Sequence, residues 1–193
     1  MILVIDTSAT RWTVAVVEQG GGGRTIVEST GRPDLERAYK DAGRPAKVAV
    51  ATGPGSFTGL RVGVSFGLGL AIGLRIPIVP LPSLDLQAAR SVVPATAVLE
   101  AGRGRVYYRT PGGEPALGEP ADVPGGDPLI GNVSAKTEAA LSAAGHRWVP
   151  PAETRDFASA AARVLETARE VAYGSLEIEY MQTFSASGRR WSS

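Results

Sequence analysis

The chain opens on four apolar residues, Ile2 to Ile5, that stop at Asp6. A run this short with no polar alternation reads as a buried strand. Trp12 to Val17 is a second β-rich run, and the tetraglycine Gly20 to Gly23 separates it from the β-branched Thr25 to Val27. Strand, glycine turn and strand predict a hairpin. Asp34 to Asp41 is amphipathic at helical spacing, with Gly43 and Pro45 as stops. Val48 to Ala51 is another short buried strand. Gly53-Pro54-Gly55 then turns sharply, and Ser56 or Thr58 can cap a helix running to about Gly73. Ile76 to Val79 predicts a strand, and Ser83 caps a short helix to Arg90. The order is that of a mixed α/β layer.

The second half partly repeats the first. Ala95 to Leu99 ends on Glu100 as Ile2 to Ile5 ends on Asp6, and Arg105 to Arg109 follows across a glycine turn. The Gly/Pro-rich stretch 111–127 reads as loop. Leu129 to Gly131 reads as a short strand, and Ser134 to Ala144 and Asp156 to Ala172 as helices. The pattern predicts a weak duplication with its boundary near Val92 to Pro94, giving halves 1–92 and 93–193. The period is too long for a solenoid.

At 193 residues, with 44% hydrophobic and 20% charged positions, the chain can bury a core and is not a disordered tail. A net charge of +1 excludes a strongly basic nucleic-acid coat protein. Cysteine is absent and His146 is the one histidine, which argues against thiol chemistry, disulfides and a zinc hydrolase; no metal is expected. The start Met-Ile-Leu-Val-Ile-Asp is not that of a signal peptide. Val62 to Leu74 is uncharged for 13 residues. That is short of the roughly 20 needed to span a bilayer, so no membrane span is expected.

Several constellations could carry chemistry. Asp6-Thr7-Ser8 offers a carboxylate and two hydroxyls at a strand end, enough to orient a hydrated magnesium and touch a phosphate, or simply to close the strand as a polar turn. Gly63-Val64-Ser65-Phe66-Gly67 matches G-x-S-x-G, but its serine lies within a predicted helix rather than at a strand-to-helix elbow, which excludes a hydrolase reading. Gly59, Gly63 and Gly67, with Gly69 and Gly73 behind them, recur on one helix although each weakens it by up to about 1 kcal/mol relative to alanine. Something must approach that helix closely. The spacing allows either the chain's own sheet or a helix of another chain. Gly53 to Gly59 could cradle an anion but lacks the lysine of a Walker A loop. Arg103, Arg105 and Arg109 form a loose basic group. Arg189-Arg190-Trp191 could touch RNA, though a solvated tail is the simpler reading.

Two segments together resemble one family. Ile2-Leu3-Val4-Ile5-Asp6-Thr7-Ser8 and the string Gly53-Pro54-Gly55-Ser56-Phe57-Thr58-Gly59-Leu60-Arg61-Val62-Gly63 are similar to the bacterial tRNA threonylcarbamoyladenosine biosynthesis family TsaB, also called YeaZ. The resemblance is clear over residues 1–90. It implies the actin-like ATPase fold of the sugar kinase and Hsp70 superfamily, an α/β architecture of two ribonuclease-H-like halves. It implies a non-catalytic subunit, with no catalytic residue and no required cofactor, in the t6A37 modification of tRNA in the cytoplasm. Its expected partners are the carbamoyltransferase TsaD, the ATPase TsaE and, when alone, a second copy, with tRNA engaged only indirectly. The implied partner surface is the helix from Ser56 onward: Ser56, Phe57, Thr58, Gly59, Arg61, Gly63 and Gly67. Asp6, Thr7 and Ser8 would be a vestigial phosphate loop, and the resemblance leaves room for ATP or ADP at the partner interface. The competing reading is an actin-like small-molecule kinase or ATPase using the Asp6 loop. That needs a second-half aspartate; the chain has Glu100 there, with no glycine-rich phosphate loop after it. The chain also departs from the family at Arg32-Pro33-Asp34-Leu35-Glu36, where a histidine is missing, at Glu100 to Tyr107, and at Ile178 to Gln182.

Overall fold

The computed structural model describes residues 1–181. Two sheets carry the fold. The first has the order β3 (Gly23–Thr30), β2 (Arg11–Val17), β1 (Ile2–Asp6), β4 (Lys47–Gly53), β5 (Ile78–Pro82). β1, β2 and β3 form an antiparallel meander, while β4 and β5 run parallel to β1. The second has the order β8 (Ala116–Gly118), β7 (Arg105–Arg109), β6 (Thr96–Gly102), β9 (Leu129–Asn132). There β6 pairs antiparallel with β7 and parallel with β9. The central strand, its hairpin partner and its parallel neighbour therefore recur in the same order in both halves, as the duplicated pattern predicts.

β1 is apolar throughout because both of its faces are covered. Leu3 and Ile5 point into a core with Val48, Val50, and residues of α1 (Leu35–Ala42) and α2 (Phe57–Leu74). Val4 points into the opposite core with Ala15, Val17, Ala49 and the helix α5 (Phe157–Leu165). α5 comes from the second half of the chain and lies on the first sheet through Phe157, Ala158 and Ala161. The short helix α3 (Ser83–Ala88) packs near the second sheet through Leu84, and α4 (Ala135–Ala143) covers its other face through Leu141.

Several boundaries differ from the sequence reading. Ser83, read as the cap of a helix to Arg90, is instead the first residue of α3, which ends at Ala88 and has Pro82 before it with no side-chain cap. The stretch 111–127 holds the short strand β8, which pairs with β7, and a 3₁₀ turn at Pro120–Asp122. α5 stops at Leu165 instead of Ala172, because the chain extends so that Val171 bridges Ile78 on β5. β5 begins at Ile78 and includes Pro80 and Pro82, tolerated because β5 is the edge strand of its sheet and the bridge from Val171 falls at Ile78, before either proline. α2 is 18 residues long, and by length and composition alone it could cross a membrane. Here its inner face is packed on β1 and β4. Beyond Val171 the chain runs back across the first half. Leu176 and Ile178 join the core beneath α1 and α2, Glu179 N donates to Thr52 O at 2.8 Å, and Met181 packs against the core of the second sheet.

Candidate functional site

The end of β1 and the start of α2 form one unit. Asp6, Thr7 and Ser8 are all buried. Ser8 donates to Asp6 Oδ1 from both its backbone N, at 2.9 Å, and its hydroxyl, at 2.6 Å. Thr7 Oγ1 donates to Gly59 O at 2.7 Å, and Ser56 N donates to Ser8 O at 2.6 Å. Burial pushes the Asp6 carboxyl above its ordinary range, and the two bonds from Ser8 pull against that shift. The glycine-rich turn is seated directly on this loop. A Cβ at Gly55 would lie 2.3 Å from Ser8 O, and one at Gly59 would lie 2.0 Å from Thr7 O. These groups do not fit a nucleotide phosphate. The hydroxyls and the Ser8 amide that would meet it are already bonded within the chain, and the turn covers the loop.

The glycine stripe faces inward. A Cβ at Gly63 would meet Thr7 Oγ1 at 2.2 Å, and one at Gly67 would meet Val50 Cγ1 at 2.3 Å. The close approach that these glycines serve is therefore between α2 and its own sheet, and Gly63 and Gly67 are buried there. Of the other residues read as partner surface, Ser56, Phe57, Thr58 and Arg61 are exposed and Gly59 is half-buried. Ser56 caps the helix by accepting from Gly59 N at 3.2 Å. Ser65, the serine of the hydrolase-like pattern, sits mid-helix and exposed, away from any strand end.

The outward face of α2 has a different set of small residues. Ser65, Gly69 and Gly73 recur four apart and are exposed, and a Cβ at either glycine would have nothing within 4 Å. Val62 and Ile72 flank them, 40% and 51% exposed. The spacing of Gly69 and Gly73 was visible in the sequence, but not that they belong to a separate stripe. At the N-terminal end of the helix, Arg61 Cζ lies 3.8 Å from the centre of the Phe57 ring, and Arg61 Nε donates to Tyr180 Oη at 3.2 Å. The Phe57 and Tyr180 rings are 5.2 Å apart. No local signal could have paired Arg61 with a residue so distant in sequence.

Glu100 is committed to structure. Its Oε2 accepts from Ser134 N at 2.9 Å and its Oε1 from Thr137 Oγ1 at 2.8 Å, so it caps α4. Among the described residues no group of three or more His, Asp or Glu side chains could hold a metal ion. Arg189-Arg190-Trp191 and Gln182 lie outside the described residues.

Two sheets of repeated order, with helices on their faces, with Asp6 ending β1 and Glu100 lying near the end of β6, define two ribonuclease-H-like halves of the actin-like ATPase fold. The family model described as "TsaD: tRNA N6-adenosine threonylcarbamoyltransferase" matches residues 35–192. An uncharacterized protein of Mycobacterium tuberculosis is 31% identical over 162 residues, 74% of this chain and 75% of that protein. The tRNA threonylcarbamoyladenosine biosynthesis protein TsaB of Haemophilus influenzae is 28% identical over 127 residues, 55% of this chain and 52% of its own length. The match thus spans about half of that relative. TsaB of Bacillus subtilis is 41% identical over 80 residues. Among solved structures, a YeaZ-like protein of Pseudomonas aeruginosa superposes with a TM-score of 0.70 at 21% identity, covering 94% of this chain and 99% of that one. The chain belongs to the TsaD family of threonylcarbamoyladenosine proteins, and within it is similar to relatives named TsaB and to YeaZ structures.

Proposed function

We propose that this chain acts in tRNA threonylcarbamoyladenosine biosynthesis as a non-catalytic subunit that docks a TsaD-type enzyme on the outward face of α2. The observation that carries this reading is the face itself. An 18-residue apolar helix is locked to its sheet through inward glycines, yet it leaves Val62, Ile72 and the stripe Ser65, Gly69, Gly73 uncovered. Small residues four apart let a second helix approach closely, and the flanking aliphatic side chains supply area to bury. In the absence of the enzyme, a second copy of the chain would use the same face. The names of the TsaB relatives support the pathway. The closed Asp6 loop favours a role without ATP turnover, and any ATP or ADP would be held with a partner, TsaE or TsaD, rather than on Asp6, Thr7 and Ser8.

The test is co-purification and titration with a TsaD-type enzyme using Ile72→Asp. Burying an aliphatic side chain stabilises by roughly 1.5 to 3 kcal/mol, so a carboxylate there should weaken association by about tenfold or more. The melting temperature should stay unchanged, because Ile72 is exposed. Unaltered binding by the variant, or an unmodified chain that fails to bind the enzyme, would overturn the proposal.

A further inference from the structure

Arg61 is exposed near the N-terminal end of α2, and its charge is unanswered. Its guanidinium is held from two sides. One face stacks on Phe57, four residues back on the same helix, and Nε donates to Tyr180 Oη. Tyr180 belongs to the C-terminal segment, which a second tyrosine ties down at the far end of α2, where Tyr173 Oη donates to Ile76 O at 2.9 Å. The stack and the bond fix the guanidinium plane while using only Nε and a ring face. Nη1 and Nη2 form no hydrogen bond or ion pair among the described residues, and Glu179, next to Tyr180, is not paired with them. α2 contains no aspartate or glutamate. Arg75, its C-cap, is likewise exposed and without an ion pair among the described residues. Apolar surface is concentrated beside these cations. Of the six large hydrophobic side chains exposed among the described residues, Phe57, Val62 and Ile72 lie on α2, and Tyr173 and Tyr180 touch it.

A guanidinium held in this way has a defined complement. Its two terminal amino groups form a planar fork, and a carboxylate takes both through parallel charge-assisted bonds. The fixed side chain has little freedom left to lose on binding. Arginine and tyrosine beside exposed apolar area are also the residue types that anchor interfaces. We propose that Arg61 is the polar anchor of the α2 docking face and takes a carboxylate from the partner, so that the face selects an enzyme helix with an aspartate or glutamate beside its apolar seam over a second copy of this chain. The proposal rests on the docking role of α2 given above. A second copy offers the wrong charge in either orientation. Arg61 and Arg75 stand fourteen residues apart, about 21 Å along the helix, with Ser65, Gly69 and Gly73 between them. Parallel packing of two α2 helices brings Arg61 to Arg61, and antiparallel packing brings Arg61 to Arg75. α2 has no carboxylate to place between them, so like charges meet without relief.

The test titrates the full chain with a TsaD-type enzyme and follows self-association of the chain alone by sedimentation equilibrium, each at about 50 and 500 mM sodium chloride. Salt should weaken enzyme binding several-fold and should tighten self-association, because it screens an attraction in the first and a repulsion in the second. This arm needs no variant, so it does not depend on any substitution folding. Arg61→Glu should weaken enzyme binding by about tenfold or more. The same change should tighten antiparallel self-association, because the new carboxylate then faces Arg75. Arg61→Lys keeps the charge but loses the planar fork, and it should bind the enzyme several-fold more weakly than the unmodified chain. Ile72→Asp separates this proposal from the docking reading. If Ile72→Asp weakens enzyme binding while Arg61→Glu and salt do not, Arg61 is not the anchor and the docking face stands. If none of the three has an effect, the docking reading fails with it. A lowered melting temperature in Arg61→Glu with enzyme affinity unchanged would make Arg61 only a clamp for the C-terminal segment and would also overturn the proposal.

Discussion

Gly67 and Gly69 lie two positions apart on α2 and should respond oppositely to an added methyl group. At Gly67 a Cβ would come within 2.3 Å of Val50 Cγ1 and 3.3 Å of Val48 Cγ1, both fully buried residues of β4. Overpacking of this kind costs roughly 1 to 3 kcal/mol, which outweighs the helix-propensity gain of up to about 1 kcal/mol. Gly67→Ala should therefore lower stability in urea titrations. Gly69→Ala meets nothing within 4 Å and should raise stability by up to about 1 kcal/mol. Equal responses at the two sites would mean that α2 is rotated from the arrangement described. Asp6 gives a second test at this scale. Burial raises its pKa in the folded chain above the ordinary 3.8, so the folded state holds the proton more tightly than the unfolded state. Its contribution to stability is then present at low pH and is lost as pH rises from 3.8 through the raised folded value. Asp6→Asn keeps an acceptor for Ser8 without the buried charge. The variant should show a flatter stability–pH profile across that window and no loss of stability at neutral pH. A marked loss at neutral pH would show that the charge itself is used.

At the scale of elements, α5 depends on its cap because it is only 9 residues long. Asp156 Oδ1 accepts from Ser159 N at 3.0 Å and Oδ2 accepts from Ser159 Oγ at 2.5 Å. Burial would raise the pKa of this carboxyl, but the bonds from Ser159 and neighbouring amides outweigh it and hold the group below 3.8. The sign is opposite to that of Asp6. The stabilisation is present above 3.8 and lost as pH falls through the lower folded value. Asp156→Ala should cost about 1 kcal/mol at neutral pH, the usual value of an N-cap, and progressively less in acid. Chemical denaturation at two pH values measures both. A cost that does not shrink in acid would assign the effect to something other than the cap.

For the whole molecule, the consequence of α5 lying on the first sheet is that the halves cannot part freely. Phe157 is 1% exposed and packs in the core that contains Val4, Ala15, Val17 and Ala49. Phe157→Ala should cost roughly 3 to 5 kcal/mol, as for other buried aromatic truncations. The chain should still unfold in one transition, with both halves affected. A fragment of residues 1–92 would expose that face of β1 and β2 and should show no cooperative melt. A sharp melt of the fragment would make the first half an independent unit.

The sequence by itself determined the strands that are buried on both faces and the duplicated order. It also determined the family, because runs such as Ile2 to Ile5 and the turn Gly53-Pro54-Gly55 carry their signal locally. It marked α2 as a helix that something approaches closely, through glycines four apart. Only the tertiary structure decided what approaches it. Spacing gives the angle between residues around a helix, not which face meets the sheet, so Gly59, Gly63 and Gly67 proved to be the inner stripe and Ser65, Gly69 and Gly73 the outer one. The sequence likewise offered Asp6, Thr7 and Ser8 as polar and available. The structure spends their hydrogen bonds on the turn at Ser56 and Gly59, a contact between segments some fifty residues apart. Local pattern encodes secondary structure because its period is a property of the backbone, whereas a site assembled across the chain exists only once long-range packing has fixed which faces meet.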